Sequence, residues 1–230
     1  MKKTCSLGIT TLVCAGMLGM GQLPVFADQS ATTLQTTPVQ LTVGGTTLPS
    51  GTPKSPSGTT DNPLPSNTQF GLLFVPSTFD FGSTPENFML GNTLTMPISG
   101  DHYVGVGDTR DTKPGWQLTA QASALKNGDN TLTGTISMKV GVKSVSFDGG
   151  SYSISGDPTS DAQAPQISQS NVQLTAGGDA TAVLNAKAGT GQGMWAADLS
   201  AIQLSATQTS QLTKGSYTGT ITWNLGNAPK

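Results

Sequence analysis

The sequence predicts an all-β fold: an antiparallel β-sandwich, Greek-key-like in its connections, forming a single domain with a Pro-rich inserted loop. Three observations carry this. Residues 217–225 read Y-T-G-T-I-T-W-N-L, with Tyr217, Gly219, Ile221, Trp223 and Leu225 on one face and Thr218, Thr220, Thr222 and Asn224 on the other. That is the period-two alternation of a strand, with β-branched and aromatic residues in it. The composition offers helices little: 29 Gly and 14 Pro, 10% charged residues, and Glu86 as the sole glutamate. From Phe70 onward, short strand candidates recur between Gly, Asn and Asp turns at the spacing of a sandwich or barrel.

Taken in order, residues 1–27 read as a secretion signal. Lys2 and Lys3 give the charged start, Leu7 to Leu18 the apolar centre, and Val25-Phe26-Ala27 a cleavage site before Asp28. The remainder offers no candidate membrane span. Both cysteines, Cys5 and Cys14, lie in this leader, so the mature chain is expected to have no disulfide, no thiolate metal site and no cysteine nucleophile. Thr11-Leu12-Val13 lacks the small residue that a lipid-modified Cys14 would need before it. Without Lys2 and Lys3 the chain carries 9 basic against 13 acidic residues, a net charge near −4. Nothing concentrates positive charge, which argues against nucleic acid as a partner, and against a polyanion such as teichoic acid.

Residues 28–69 are rich in Thr, Ser, Pro and Gly and contain no aromatic residue. Val39, Leu41 and Val43 alternate, predicting one edge strand over 39–43; the rest reads as an extended, solvated spacer. Leu48-Pro49-Ser50-Gly51-Thr52 and Leu64-Pro65-Ser66-Asn67-Thr68 are similar to a sortase signal, but both are N-terminal and the sequence ends at Lys230, so covalent anchoring is not expected. Residues 70–230 are assigned to the sandwich. Its expected strands are Gly71–Val75, Thr78–Phe81, Thr93–Ile98, His102–Val106, the Trp116 segment, Leu132–Val140, Ser144–Phe147, Tyr152–Ile154, Val172–Thr175, Thr181–Leu184, Ile202–Ala206 and the closing Tyr217–Leu225. That last strand is expected to stop at Gly226-Asn227-Ala228-Pro229. Ala120–Lys126 alone has a helix-like composition, and there is no tandem repeat.

A second W-x-L sits upstream, at Trp116-Gln117-Leu118, so each of two strands sets a Trp beside a Leu on one face. With D-T-R at 108–110, G-W-Q-L at 115–118, G-Q-G-M-W at 191–195 and Y-T-G-T-I-T-W-N-L-G-N-A-P at 217–229, the chain resembles the WxL-domain proteins of Gram-positive bacteria. Ile221 stands where that family more often has Leu, a harmless departure on an apolar face. The resemblance implies a secreted protein held non-covalently at the cell wall, through peptidoglycan, and membership of a complex with other surface proteins. It also implies that Trp116, Leu118, Trp223 and Leu225 form the wall-binding motif. No cofactor is implied.

Enzymatic readings fare poorly. Ser123-Ala124-Leu125-Lys126 matches S-x-x-K, but no S-D-N or K-T-G follows. His102 is the single histidine and sits in a strand candidate, so a His-rich metal site is excluded and a Ser-His-Asp triad would hang on it alone. Paired carboxylates at Asp108 and Asp111, or Asp157 and Asp161, fall in turns where Asp serves local hydrogen bonding. The chain is therefore expected not to be an enzyme.

The tryptophans admit two roles. Exposed, they would make a flat platform for the C–H face of a sugar ring. Buried, they would be core, which the apolar phase of Leu118, Ala120, Ile221 and Leu225 favours for Trp116 and Trp223. Trp195 follows Gly189-Thr190-Gly191-Gln192-Gly193, so Gly191, Gly193 and Trp195 form a candidate ligand-facing loop and both roles stay open there. Asp108 and Arg110 fit a turn-bracing ion pair better than an arginine reaching for a peptide carboxylate, the ligand-facing alternative. The expectation is that the W-x-L strands scaffold the body and the adjoining loops meet the wall. The competing reading is an assembly subunit that binds other surface proteins by strand addition, for which the Thr-rich face of the last strand at an edge would suit.

Overall fold

The computed structural model describes residues 32–36, 43–44, 47–83, 93–158, 161–207 and 215–227. The leader at 1–27, and Val39 and Leu41 of the expected edge strand, lie outside them. The N-terminal strands are β1 (Thr32–Thr36), β2 (Val43–Gly44), β3 (Thr59–Asp61), β4 (Thr68–Pro76) and β5 (Thr93–Pro97). Next come β6 (His102–Asp108), β7 (Trp116–Ala122), β8 (Leu125–Asn127), β9 (Asn130–Leu132), β10 (Gly134–Asp148) and β11 (Ser151–Ser155). The chain closes through β12 (Gln166–Ile167), β13 (Asn171–Thr175), β14 (Thr181–Ala186), β15 (Gly193–Thr207) and β16 (Ile221–Asn227). Among the described residues there is no helix.

Two sheets form the body. The small sheet has the order β1-β16-β7-β14-β12. The large sheet runs β11-β10-β15-β6-β4-β2, with β13 also on β10, β3 on β4 and β5 on β15. The chain steps between them repeatedly: β6 is in the large sheet, β7 in the small, β10 large, β14 small, β15 large and β16 small. Such crossings are what a sandwich with Greek-key-like connections requires.

The main core lies between the sheets and follows from alternation. Trp116, Leu118, Ala120 and Ala122 of β7, with Ile221, Trp223 and Leu225 of β16, turn inward, while Gln117, Thr119, Thr222 and Asn224 do not. They meet Leu72, Val104, Val106, Ile136, Met138, Leu199 and their neighbours from the large sheet. Burying each large apolar side chain contributes about 1.5–3 kcal/mol, so this contact dominates the stability of the fold.

The large sheet has a second buried face. Leu48 and Leu64, from the segment expected to be solvated, are each 2% exposed and pack with Leu73, Phe74, Val145, Tyr152 and Ala196. The spacer reading is therefore corrected for residues 48–64: they fold back over the sheet as a lid, apart from β3, which adds to the sheet beside β4. Reciprocal bonds between Gly51 and Leu64 fasten the lid to itself. Lys54 N–H donates to Gly150 O, Tyr152 N–H donates to Lys54 O, and the buried Asn62 donates to Leu72 O. The sequence V-G-V-G in β6 makes room for it. A Cβ on Gly105 would lie 2.6 Å from the Phe74 ring, and one on Gly107 would lie 2.6 Å from Leu48 Cδ2. Composition hides this because the lid offers just two large apolar residues among its prolines.

Several strand bounds differ from expectation. Strand β16 begins at Ile221, not Tyr217, since Gly219 packs tightly against Ser123 and Leu125. It also runs through Gly226 to Asn227, which pairs with Trp116. Thr78–Phe81 is not a strand, and the helix-like Ala120–Lys126 is the end of β7 and the start of β8. Strand β15 starts nine residues before the expected Ile202 and so contains Trp195. Last, β16 is not an edge: β1 pairs with it from Thr32↔Gly226 to Thr36↔Thr222.

Two outcomes follow. Gly105→Ala drives a methyl group into the Phe74 ring and should cost about 1–3 kcal/mol in urea denaturation, partly recovered by adding Phe74→Leu. Tyr152 is 4% exposed with an unpaired hydroxyl among the described residues, and burial, then the charge of Asp61, pushes its pKa up to about 12. The unfolded chain releases that proton near the ordinary value of 10.0, so stability falls as pH rises from about 10 to about 12. Tyr152→Phe should lose less stability over that window, as read by thermal melts across it.

Candidate functional site

The motif residues gather at one end of the sandwich. Register does this: Asn227 of β16 lies opposite Trp116 at the start of β7, and Gly193 of β15 lies opposite Asp108 at the end of β6. The turn between β6 and β7 carries Arg110, and the 187–192 loop enters β15 beside it.

Arg110 is the hub. Its Nε donates to Asp108 Oδ1 at 2.9 Å and one terminal nitrogen donates to Asp108 Oδ2 at 2.8 Å, a bidentate fork. That same terminal nitrogen reaches Gly115 O at 3.3 Å, and the other donates to Asn227 Oδ1 at 2.6 Å. The guanidinium lies 3.7 Å from the centroid of the Phe70 ring, a cation–π contact. Asp108 is 1% exposed, and its Oδ1 also accepts the Arg110 N–H. A buried carboxylate is costly unless paired and hydrogen-bonded, and here it is both. Four of the five guanidinium N–H donors are committed within the protein, and the Nε/Nη2 fork is taken by Asp108.

The three indoles are interior. Trp116 is 0% exposed, Trp223 1% and Trp195 4%. Trp116 Nε1–H donates to Gly191 O at 3.0 Å and Trp195 Nε1–H donates to Gln192 O at 3.1 Å. Trp195 therefore corrects the loop reading: it is a strand residue whose indole faces the main core. An exposed platform of Trp116, Trp195 and Trp223 does not exist. Leu118 and Leu225, both 0% exposed, lie opposite one another in β7 and β16, so the two W-x-L pieces are neighbours in one sheet.

The glycines of the motifs are spacers. Gly191 has φ +79, and a Cβ there would come within 2.3 Å of Ala186 Cβ and 2.6 Å of Trp116 Nε1. Gly115, at φ +80, would meet Ala186 O at 2.5 Å. Both backbones must approach this closely for the Trp116 ring to be roofed by the 187–192 loop. Gly193, at φ +111, lies over the Trp195 ring. Gly191 N–H donates to Gln163 O and Gly189 N–H to Lys113 O, so the loop is tied on both sides.

The remaining candidates hold structural posts. Ser123 Oγ accepts the Thr220 N–H at 2.9 Å, and Lys126 lies in β8, so the S-x-x-K spacing is not on a helix. Asp157 pairs with Lys143 at 2.6 Å, and Asp161 Oδ1 accepts the Gln163 N–H. His102 is half-buried with its ring 5.2 Å from that of Phe79. Among the described residues, no group of three or more His, Cys, Asp or Glu is placed to hold a metal ion, and no helix is long and apolar enough to cross a membrane. Asn227 and Phe70 are the participants that pattern reasoning missed. The one signal was the position of Asn227 two residues after Leu225, on the same face of the last strand.

Fold and site together define an all-β sandwich module whose motif residues brace one end of it. Comparison with family models gives the class its name: residues 25–229 match the WxL domain, described as surface cell wall-binding. The chain belongs to this family and is a cell-surface, wall-binding protein. The family is one of wall-binding domains rather than enzymes. Neither the curated proteins nor the solved structures give a match to it.

Arg110→Lys keeps the charge but cannot make the fork, the Asn227 bond and the Gly115 bond together. It should destabilise the domain by about 3 kcal/mol in urea denaturation, the range for disrupting a buried ion pair.

Proposed function

We propose that this chain holds the cell wall through peptidoglycan and that the W-x-L residues brace the protein rather than touch the ligand. In this reading Trp116, Leu118, Trp223 and Leu225 lock two neighbouring strands. Asp108, Arg110, Gly191, Gly193 and Trp195 fasten the loops at one end. The observation that carries it is the sealing of both W-x-L tryptophans, at 0% and 1% exposure, with the Trp116 N–H already bonded inside the protein. A ligand must then be met by surface side chains. With 10% charged residues in the whole sequence, that surface recognises by shape and neutral hydrogen bonds rather than by charge.

Assembly with other surface proteins by strand addition at β16 is the weaker alternative, because β1 already occupies that edge. A sedimentation assay on purified wall sacculi separates the two. The chain should be retained on sacculi stripped of teichoic acid, with little loss at raised salt. Retention solely when a second surface protein is added would overturn the proposal in favour of assembly.

A further inference from the structure

The outer face of the large sheet is divided. Its apolar part, around Phe74, Val145 and Ala196, lies under the 48–64 lid. Among the described residues nothing covers the rest, across β13, β10 and β15, which holds a shallow concavity of about 580 Å³. Its lining includes Thr135 and Ser137 of β10, Gln173 of β13 and Gln203 and Ser205 of β15, with Lys139 at one end.

Register arranges these side chains as a grid. Thr135 lies between Thr175 and Ser205, and Ser137 between Gln173 and Gln203. Neighbouring strands are about 4.8 Å apart and same-face residues recur about every 6.8 Å along each, so hydroxyls and amides repeat at regular intervals in two directions. The floor is bent on purpose. Between Ser137↔Gln203 and Lys139↔Ser200 the β15 strand carries one extra residue, a bulge, and Ala201 there has φ 46, a left-handed conformation that a residue with a Cβ rarely takes. Bulges bend and twist the strand that carries them, and here the bulge accompanies a hollow rather than a flat face. Among the described residues, no lining side chain of this grid makes an internal hydrogen bond or ion pair, unlike the loops around Arg110.

We propose that this hollow is the ligand-contacting site, and that it takes the glycan strand of peptidoglycan. This rests on the reading of peptidoglycan as the wall ligand. Primary amides and hydroxyls each donate and accept, which suits a chain of sugar hydroxyls and acetamido groups. A single lysine is poor recognition for a polyanion, whose capture needs several cations. Within the floor of the hollow an extended peptide cannot add to β10, because in this stretch both its backbone edges are paired, to β13 and β15.

The test compares the full mature chain with two variants on bare sacculi and on soluble glycan strands freed of stem peptides by an amidase. Ser137→Trp fills the centre of the grid; Gln173→Ala with Gln203→Ala removes its amides while leaving the hollow open. Urea midpoints within error of the parent establish that each is folded. The expected result is binding of the parent to both preparations and at least a tenfold loss in both variants. Parent-like binding by folded variants overturns the site while leaving peptidoglycan as the ligand. Failure of the parent on bare sacculi overturns that underlying reading too. Binding to sacculi but not to peptide-free glycan replaces the glycan by the stem peptide and overturns this proposal.

Discussion

The guanidinium of Arg110 is the polar joint between the two sheets. Asp108 and Phe70 reach it from the large sheet, Asn227 from the small one and Gly115 from the turn that enters β7, and the rest of the motif end is arranged around it. Apolar contact between sheets is non-directional and would tolerate sliding, but a planar fork with fixed donor directions would not. The joint fixes where β16 meets β7, and so sets the Trp116 ring beneath Gly191 and the Trp223 ring inside the body. That explains why D-T-R, G-W-Q-L, G-Q-G-M-W and the last strand occur together: they are one bracing arrangement drawn from four parts of the chain.

The large sheet needs a different solution. A sheet in a sandwich ordinarily buries one face, yet β4 presents Leu72 and Val75 to one core and Leu73 and Phe74 to another. A register shift between Leu72 and Phe74 permits this, and the glycines of β6 give the second core its depth. The lid then covers the apolar part of the outer face and no more. Its limit coincides with the change in composition along β10, from Val145 under the lid to Ser137 and Thr135 outside it.

Much of this was legible in the chain. Strict alternation located inward faces correctly at 132–140 and, in the last strand, from Ile221 to Leu225, because a period of two needs no knowledge of the partner strand; its Tyr217–Thr220 part is not strand. The inward phase of Trp116 and Trp223 was readable for the same reason. Trp195 was not: a run of three glycines before it looks like a loop, and nothing local reveals that Gly193 opens a fifteen-residue strand. The lid was hidden because its order comes from cavities made by Gly105 and Gly107, some sixty residues away in sequence from Leu48. Asn227 was hidden in a like manner, since a Gly-Asn pair normally ends a strand and the force that continues it is supplied by Arg110. Local pattern finds which side chains point inward; it does not find the long-range partner that makes an unpromising segment hold still.

The pairing of β1 with β16 joins almost the first described residues to the last. A protein that works outside the cell crosses a membrane in sequence order, N-terminus leading, so Thr32 emerges long before Gly226 can meet it. With β7 also waiting for β16, the small sheet stays incomplete until residue 227 has emerged. Strand order alone therefore makes closure of the small sheet wait for the last strand of the chain.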